Sequence, residues 1–315
     1  MLNAVYRDKM QRHPYGYACY QPESSLIVKP GALGYVNNDG RWSPLVAKNG
    51  SNIDLGVPET LVPNGLGSFD KLFAAPPEEM SWGPKISDGA NGISLDFKAN
   101  ASLIPAGVPA DIGALFGFKT DESFGAILMT TNPVTREAVY GERAYKNWCK
   151  TNAPVIISNW PDVEDHGLVI VTSIHKTTRA DLRTWQDKRQ EIKVGFKASA
   201  VGLGELAPSS EWYKALGDDG WISSEAPSNT SEQKVVFFGG LFWRFNKLSK
   251  YLPGQDQLTS SEFKKLRSVI DQLPNSFSTV YNGTPYIVSC NEIGRGQVGP
   301  EGPGKEDEED SGMEY

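Results

Sequence analysis

Hydrophobic and polar residues alternate over unusually long stretches of this 315-residue chain. The longest stretch, residues 167–185, reads GLVIVTSIHKTTRADLRTW and contains no Pro, no turn dipeptide and no Gly after its first residue. Because successive side chains of a strand point to opposite faces, Leu168, Ile170 and Ile174 fall on one mostly apolar face. Ordinary strands have about five or six residues. The pattern therefore predicts a single strand of exceptional length.

The same alternation predicts two hairpins with long amphipathic arms. The first runs from residue 92 to residue 118 and turns at Pro-Ala-Gly, residues 105–107. The second consists of the long strand, a charged turn at residues 183–189 and a return arm at residues 192–200. The apolar side of the two hairpins is predicted to comprise Ile93, Leu95, Phe97, Ala99, Ala110, Ile112, Ala114, Phe116, Leu168, Ile170, Ile174, Ile192, Val194 and Phe196.

Shorter patterns place further elements around the hairpins. Asn-Asp-Gly at residues 38–40 predicts a tight turn between two short strands. Apolar residues spaced by four predict a helix over residues 136–150. The apolar run at residues 234–245 is expected to form a buried strand pair, kinked at its two adjacent glycines.

The C-terminal third is predicted to hold two helices and a last strand. A short helix is expected over residues 209–216, and a capping box at residues 259–262 begins a helix that ends before Pro274. Residues 284–290 read as a strand. Together these elements predict an α+β fold: a twisted, mostly antiparallel β-sheet with long amphipathic hairpins and flanking helices.

Charge is concentrated at the C-terminal end. The formal net charge is −7, and residues 301–315 carry seven acidic side chains against Lys305, so the rest of the chain is nearly neutral. A near-neutral body argues against nucleic-acid binding, which needs a basic domain. We expect residues 1–290 to form one domain and residues 291–315 to form a disordered acidic tail.

Patterns for catalysis or metal binding are missing from the sequence. The three histidines have no metal-ligand spacing, and neither a GxSxG elbow nor a P-loop occurs. A GxGxxG match at residues 294–299 lies in the tail with no helix after it, so it cannot cradle a pyrophosphate. We therefore predict that the protein is not an enzyme and has no cofactor or metal. A hydrolase whose site is assembled from residues distant in sequence is the alternative that motifs do not test.

The cysteines and the hydropathy of the chain indicate in which cellular compartment the protein is expected. Cys19, Cys149 and Cys290 are isolated, which suits a reducing environment, so we expect a cytoplasmic protein. The longest apolar run, residues 235–243, is less than half of the roughly 20 residues that a membrane-spanning helix needs. A membrane role would have to use another structure.

Long amphipathic hairpins admit two interpretations. They can be edge hairpins with one face on the core and the other in water. They can also cross a bilayer, because a tilted strand needs only about 9 to 11 residues to do so. Such strands enter a bilayer only when every backbone group is paired, as in a closed barrel. Small residues such as Ala99 and Ala114 on the apolar faces favour the second interpretation, since a soluble core prefers larger side chains.

The order of elements over residues 89–245 resembles the pore-forming domain of the gasdermin family. The resemblance rests on the hairpin NGISLDFKANASLIPAGVPADIGALFGFKTDESFG, a helix, the strand GLVIVTSIHKTTRADL, its return RQEIKVGFKASAVGLGEL and the segment SEQKVVFFGGLFWRFNKL. About 70 residues follow Phe245, whereas mammalian gasdermins carry a large C-terminal inhibitory domain. The chain is therefore similar to the short fungal and bacterial members.

The resemblance implies a pore-forming protein of regulated, pyroptosis-like cell death. It implies binding to acidic phospholipid membranes, assembly into a homo-oligomer and insertion of two hairpins per subunit into a β-barrel that permeabilises the plasma membrane. At rest the protein would be a cytoplasmic monomer or dimer, activated by a protease or a partner protein. The residues implied in lipid contact are Arg7, Lys9, Arg12, Arg179, Arg183, Lys188 and Arg189, and Arg295 is the candidate cleavage site.

A second interpretation keeps the protein in solution. In it, the chain is a cytosolic β-rich ligand-binding or scaffold module without membrane activity, and some of its eight tryptophans form a ligand platform.

Overall fold

The structure is a computed structural model. It describes residues 2–47, 50–55, 73–95, 112–197, 212–214, 220–248, 267–270, 272–273 and 275–293. These residues form three antiparallel sheets with helices packed against them, which confirms the predicted α+β class.

Helices and strands alternate irregularly along the chain. The helices are α1 (Leu2–Met10), α2 (Glu142–Asn159) and α3 (Val163–His166), and residues 267–270 are also helical. The strands are β1 (Tyr17–Ser24), β2 (Leu33–Val36), β3 (Trp42–Pro44), β4 (Phe73–Ala74), β5 (Glu78–Met80), β6 (Lys85–Ile86), β7 (Ala90–Leu95), β8 (Ile112–Thr120), β9 (Gly125–Thr130), β10 (Val134–Tyr140), β11 (Leu168–Thr177), β12 (Arg179–Trp185), β13 (Ile192–Lys197), β14 (Trp212–Lys214), β15 (Trp221–Glu225), β16 (Lys234–Lys247), β17 (Ser276–Tyr281) and β18 (Thr284–Ile293).

The largest sheet, called the main sheet, is built around β16. Its order is β17-β18-β16-β11-β10-β4, with β1 also paired to β16, β2 to β11, β3 to β2 and β5 to β10. Residues 235–243 of β16 are all buried, because elements cover both faces of the sheet there. On one face, α2 packs through side chains that recur every three or four residues, including Trp148 and Ile156, against Trp243.

Two smaller sheets of four strands each lie beside the main sheet. The middle sheet has the order β15-β12-β9-β6, and the hairpin sheet has the order β14-β13-β8-β7. One face of the middle sheet, with Leu128 and Leu182, packs on α1 and on Phe237 of the main sheet. Its other face, with Ile127 and Met129, packs on the hairpin sheet. The middle sheet is therefore covered on both faces.

The prediction of one long strand over residues 167–185 is wrong. The chain leaves the main sheet after Thr177 and enters the middle sheet at Arg179, so β11 and β12 belong to different sheets. The Thr177 hydroxyl donates to the carbonyl oxygens of Thr131 and Arg179, which fixes the bend between the two strands. The faces also change within β11, because its register with β16 shifts between Val171 and Ser173. Leu168 and Ile170 therefore pack in one core cluster, and Ile174 packs in the cluster on the other side.

The helix predicted over residues 136–150 begins too early. Residues 134–140 form β10, and α2 starts only after Gly141, whose φ of 104° separates the two elements. Residues 212–214, predicted as helical, form β14. Both segments pair with a neighbouring strand, and this pairing overrides the helical propensity of their own sequence.

Several other predictions can be compared with the described residues. The hairpin around residues 38–40 is confirmed by the pairing of β2 with β3. Residues 234–247 form a single strand rather than a pair, and Gly240 allows close approach to β11, since a Cβ there would collide with the Ile170 carbonyl oxygen. The last strand runs to Ile293, three residues beyond its predicted end. Most of the helix predicted after residue 259 lies outside the described residues.

Candidate functional site

The hairpin sheet contains the first predicted hairpin. β7 pairs with β8 in an antiparallel ladder that joins residues 90–95 to residues 115–120. The connection between them, residues 96–111, lies outside the described part of the chain. The predicted pairing of the two arms is confirmed for the residues that the structure describes.

The second predicted hairpin has a different partner. β13, the expected return arm of the long strand, pairs with β8 and β14 instead, while β12 lies in the middle sheet. The second hairpin is therefore β13–β14, connected by residues 198–211. Leu168, Ile170 and Ile174 are fully buried in the main sheet, so their predicted place in a hairpin is wrong. Alternation sets the faces of a strand but does not choose its neighbour.

The two hairpins lie side by side with the same orientation. Since β8 is antiparallel to both β7 and β13, strands β7 and β13 run in the same direction. The connections 96–111 and 198–211, of sixteen and fourteen residues, therefore leave from the same end of the strands. We call this end of the sheet the far edge. At the opposite end of the strands, called the base edge, β7 and β13 begin and β8 ends.

The apolar face of the hairpin sheet packs on the middle sheet. Ile192, Val194 and Phe196 are buried there, and Phe116 is half-buried and meets Phe196 edge to face with ring centroids 5.6 Å apart. These four predicted positions therefore share an apolar face. Ile93 does not, because it is 51% exposed on the other face of the sheet. The described part of the structure does not include the side chains of Leu95, Phe97, Ala99, Ala110, Ile112 and Ala114.

Two basic residues of the N-terminal segment contact residues at the base edge. Lys9 forms an ion pair with Glu122 in the turn that follows β8, and this hydrogen bond raises the pKa of Lys9. Arg12, just beyond α1, donates to the Ser87 carbonyl oxygen at 3.3 Å, three residues before β7. Arg7 instead pairs with its neighbour Asp8 at 2.8 Å.

Lys85, in β6 of the middle sheet, is a further basic residue near His13 that sequence reasoning missed. Its ammonium group lies 4.8 Å from the Trp82 ring and 5.2 Å from the Tyr15 ring. Lys85 and Arg12 both act electrostatically on His13, whose pKa is lowered mainly by burial. The sequence offers one signal for this contact, because Lys85 stands three residues after Trp82.

The cations of the second predicted cluster divide into two groups. Arg179 donates to the buried carboxylate of Asp181 at 2.9 Å, and its guanidinium lies 5.0 Å from the ring of Trp212, the first residue of β14. Arg183 is half-buried on the same strand, β12. The contact of Arg179 with Trp212 connects the middle sheet to the second hairpin.

Lys188 and Arg189 form the other group. Both are exposed in the turn between β12 and β13, which leads into the base edge. They therefore lie at the same edge of the hairpin sheet as Lys9 and Arg12. Two members of each predicted lipid-contact cluster, distant in sequence, are thus brought to one edge.

A cavity of about 610 Å³ lies on the main sheet, away from the hairpins. Small residues of the sheet, Ser173 and Gly239 among them, leave room for it, and Tyr15, Arg136 and His175 contribute to its lining. Burial, with smaller effects from Arg136 and Lys85, lowers the pKa of His175 to about 4. His175 is therefore neutral at physiological pH. The volume is in the range of small-molecule sites.

Further observations bear on the other predictions. The cysteines are free and buried. Among the described residues, groups of His, Cys, Asp or Glu that could hold a metal ion are not found. Helices within the described ranges are too short or too polar to cross a membrane. Arg295, the candidate cleavage site, lies outside these ranges.

No model of a known protein family matches the chain, and no curated protein matches it either. The gasdermin resemblance therefore remains a prediction from the order of elements.

Proposed function

We propose that the protein forms pores: it binds acidic membranes, oligomerises and inserts the hairpins β7–β8 and β13–β14, without enzymatic activity. The observation that carries this proposal is that the two hairpins form one four-stranded sheet and both connections leave from its far edge. A bilayer admits β structure only when its backbone groups are paired. Within each subunit, the pairing between the two hairpins is already in place.

The apolar face supports the same function. Ile192, Val194 and Phe196 are covered by one sheet, through contacts with side chains such as Ile127 and Met129. Burying such a side chain is worth about 1.5 to 3 kcal/mol, whether the surrounding medium is a protein core or hydrocarbon. Release from the middle sheet followed by insertion therefore exchanges one apolar environment for another, and this exchange keeps the net cost low.

Four cations at the base edge fit one orientation on a membrane, and they are interspersed with Asp88, Asp121, Glu122 and Asp187 of the same turns. Lys9, Arg12, Lys188 and Arg189 lie at the base edge, whereas the connections leave from the far edge. Cations at the base edge would contact the headgroups of the nearer leaflet while the far edge crosses the bilayer. Juxtamembrane Lys and Arg each contribute roughly 1 kcal/mol to binding of anionic lipid.

Release of an encapsulated dye from vesicles tests the proposal. The purified chain, at micromolar concentration, is added to vesicles of phosphatidylcholine alone and to vesicles that also contain phosphatidylserine or cardiolipin. We expect release from the acidic vesicles and little from the neutral ones. Intact acidic vesicles, with both the full chain and a chain ending at Ile293, would reject pore formation.

A second function is favoured by the cavity at His175. A ligand-binding module would bind a small molecule there and would leave vesicles intact. Saturable binding of a small molecule, together with the absence of dye release, would favour this function over the pore.

A further inference from the structure

His175 lies on a face of the main sheet that the N-terminal segment, residues 2–15, helps to cover. It stands opposite Phe237 of β16 and is 4% exposed. The ring centroid of Tyr15 lies 4.9 Å from that of the imidazole, and the centroid of Trp82 lies 5.5 Å from it. Tyr15 and Trp82 are themselves stacked, with centroids 4.4 Å apart. Two aromatic rings from segments outside the sheet therefore cover His175.

The covered imidazole has an unpaired polar atom. Its Nδ1 is buried and has no hydrogen-bond partner among the described residues. A charge buried without a partner costs far more than a neutral polar atom in the same place. Protonation of His175 is therefore unfavourable while the two rings cover it, and this is the main physical reason for its lowered pKa.

Other titratable groups lie on the same side of the sheet. The Lys85 ammonium group lies over the Trp82 ring at 4.8 Å from its centroid and donates to the Tyr15 hydroxyl at 3.3 Å. The face of an aromatic ring attracts a cation, so these two rings already stabilise one. His13 stacks on Tyr15 with centroids 6.1 Å apart. A proton on His175 would add a second cation close to Lys85.

The strand beside His175 adds another positive charge. Arg136 of β10 stands opposite His175 in the ladder and also disfavours a proton there. Glu78, opposite Arg136 on β5, is paired with it at 3.0 Å. Glu142 and Glu292 line the same cavity as His175, and Glu142 forms an ion pair within α2. A protonated His175 would therefore lie near two cations and, among the described residues, would have no carboxylate partner.

The N-terminal segment can move more easily than the strand that carries His175. β11 is paired with β10 on one side and with β16 on the other, so the backbone of His175 is fixed in the sheet. The N-terminal segment is a helix and a turn that pack on the sheets through side chains such as Tyr6 and Tyr15. Unfavourable charge under Tyr15 is therefore relieved by movement of the segment.

We propose that protonation of His175 in mildly acidic solution releases the N-terminal segment from the main sheet. In the released state the imidazole meets water and has the ordinary pKa of about 6.5, whereas its pKa in the covered state is about 4. Acid therefore favours the released state between these values. Release also makes Lys9 and Arg12 available to anionic lipid. The inference goes beyond the pore function, because the release takes place in solution without a membrane.

Hydrogen exchange of the α1 amides, without vesicles, tests the release. A helix of nine residues is marginal on its own in water, so α1 unwinds once released and its amides exchange. Between about pH 7 and about pH 5, the protection of these amides relative to an unfolded peptide should fall by about twentyfold. At the lower pH the α1 amides should be less protected than the α2 amides, because release does not require the whole chain to unfold.

Histidine variants assign the effect to one side chain. H175Q should keep the protection of α1 nearly constant over this pH range, whereas H166Q, at a half-buried histidine that stacks on Tyr35, should behave like the wild type. Wild-type protection of α1 that does not change with pH, or that equals the protection of α2 at both pH values, would overturn the release whatever the variants do. Loss of the effect in H13Q but not in H175Q would assign it to His13 and would also overturn the proposal. Because vesicles are absent, the release and the pore function can fail separately.

Discussion

The ammonium group of Lys9 is paired with the carboxylate of Glu122, so the N-terminal segment is tied to the turn that ends the first hairpin. The backbone adds to this contact, because the Asp88 amide donates to the Lys9 carbonyl oxygen at 2.8 Å. A residue implied in lipid contact therefore has a protein partner in the folded chain. Binding of Lys9 to a lipid phosphate would compete with this partner and loosen the base of the hairpin.

Removing the charge of Glu122 should accelerate pore formation. In E122Q the ion pair is lost and Lys9 is available to anionic lipid, so we expect dye release from acidic vesicles to become a few-fold faster. E79Q, which changes an exposed glutamate of β5, is the control with the same change in net charge. Equal rates for E122Q, E79Q and wild type would show that the pair does not restrain the hairpin.

Neutralising the exposed turn cations should weaken membrane binding. The double variant K188Q/R189Q removes two charges that contribute roughly 1 kcal/mol each, so affinity for acidic vesicles should fall by about thirtyfold. Added salt should reduce the difference between variant and wild type. R143Q/K150Q, on exposed positions of α2, is the control. An equal loss of vesicle binding in the two double variants would mean that the base edge is not the contact surface.

A charge in the predicted insertion arm should block release without unfolding the protein. A99R places a basic residue at an apolar position of the first arm, where exposure to hydrocarbon costs about 2 to 4 kcal/mol near the midplane. We expect A99R to bind acidic vesicles but to release no dye. N100R, at the adjacent polar position, should retain release. Comparable release by the two variants would contradict a lipid-facing role for Ala99.

Substitution of Ile174 should have a different effect. Because Ile174 is fully buried in the main sheet, I174R would place an unpaired charge in the core and should destabilise the fold by several kcal/mol. Thermal unfolding followed by circular dichroism should show a large drop in the transition temperature of I174R. A wild-type transition in I174R would mean that residue 174 is not in this core.

Folding stability should depend on the protonation of His175. Its pKa is about 4 in the folded chain and about 6.5 in the unfolded chain, so the unfolded state binds more protons between these values. His175 should therefore lower stability by roughly 3 kcal/mol as the pH falls from above 6.5 to below 4. Urea unfolding at several pH values measures this dependence. H175Q should lose most of this pH dependence of stability. If H175Q kept the wild-type dependence, groups other than His175 would be responsible for it.

The sequence predicts the elements of this fold better than their neighbours. The alternation in β13 correctly predicted that Ile192 and Val194 share a buried face, because burial of one face produces the alternation. The same alternation did not reveal the change of sheet at Thr178, since no Pro, Gly or turn dipeptide marks that point in the sequence. It also did not predict that β13 pairs with β8, because pairing is decided by contacts between distant segments.

The candidate site was predicted only in part for the same reason. The positions of Lys188 and Arg189 in an exposed turn follow from local sequence. The contact of Lys9 with Glu122 joins residues more than a hundred positions apart, and that of Arg179 with Trp212 joins two different sheets. The register that separates Ile93 from Phe116 is likewise not encoded in either strand alone.

Hydrogen exchange in the presence of acidic vesicles tests the central claim most directly. Every backbone amide that enters the hydrocarbon must be hydrogen-bonded. We therefore predict that residues 96–111 and 198–211 both gain protection from exchange on vesicles under conditions that release dye, while residues of α2 do not change. Dye release without added protection in these two connections would contradict insertion of the hairpins.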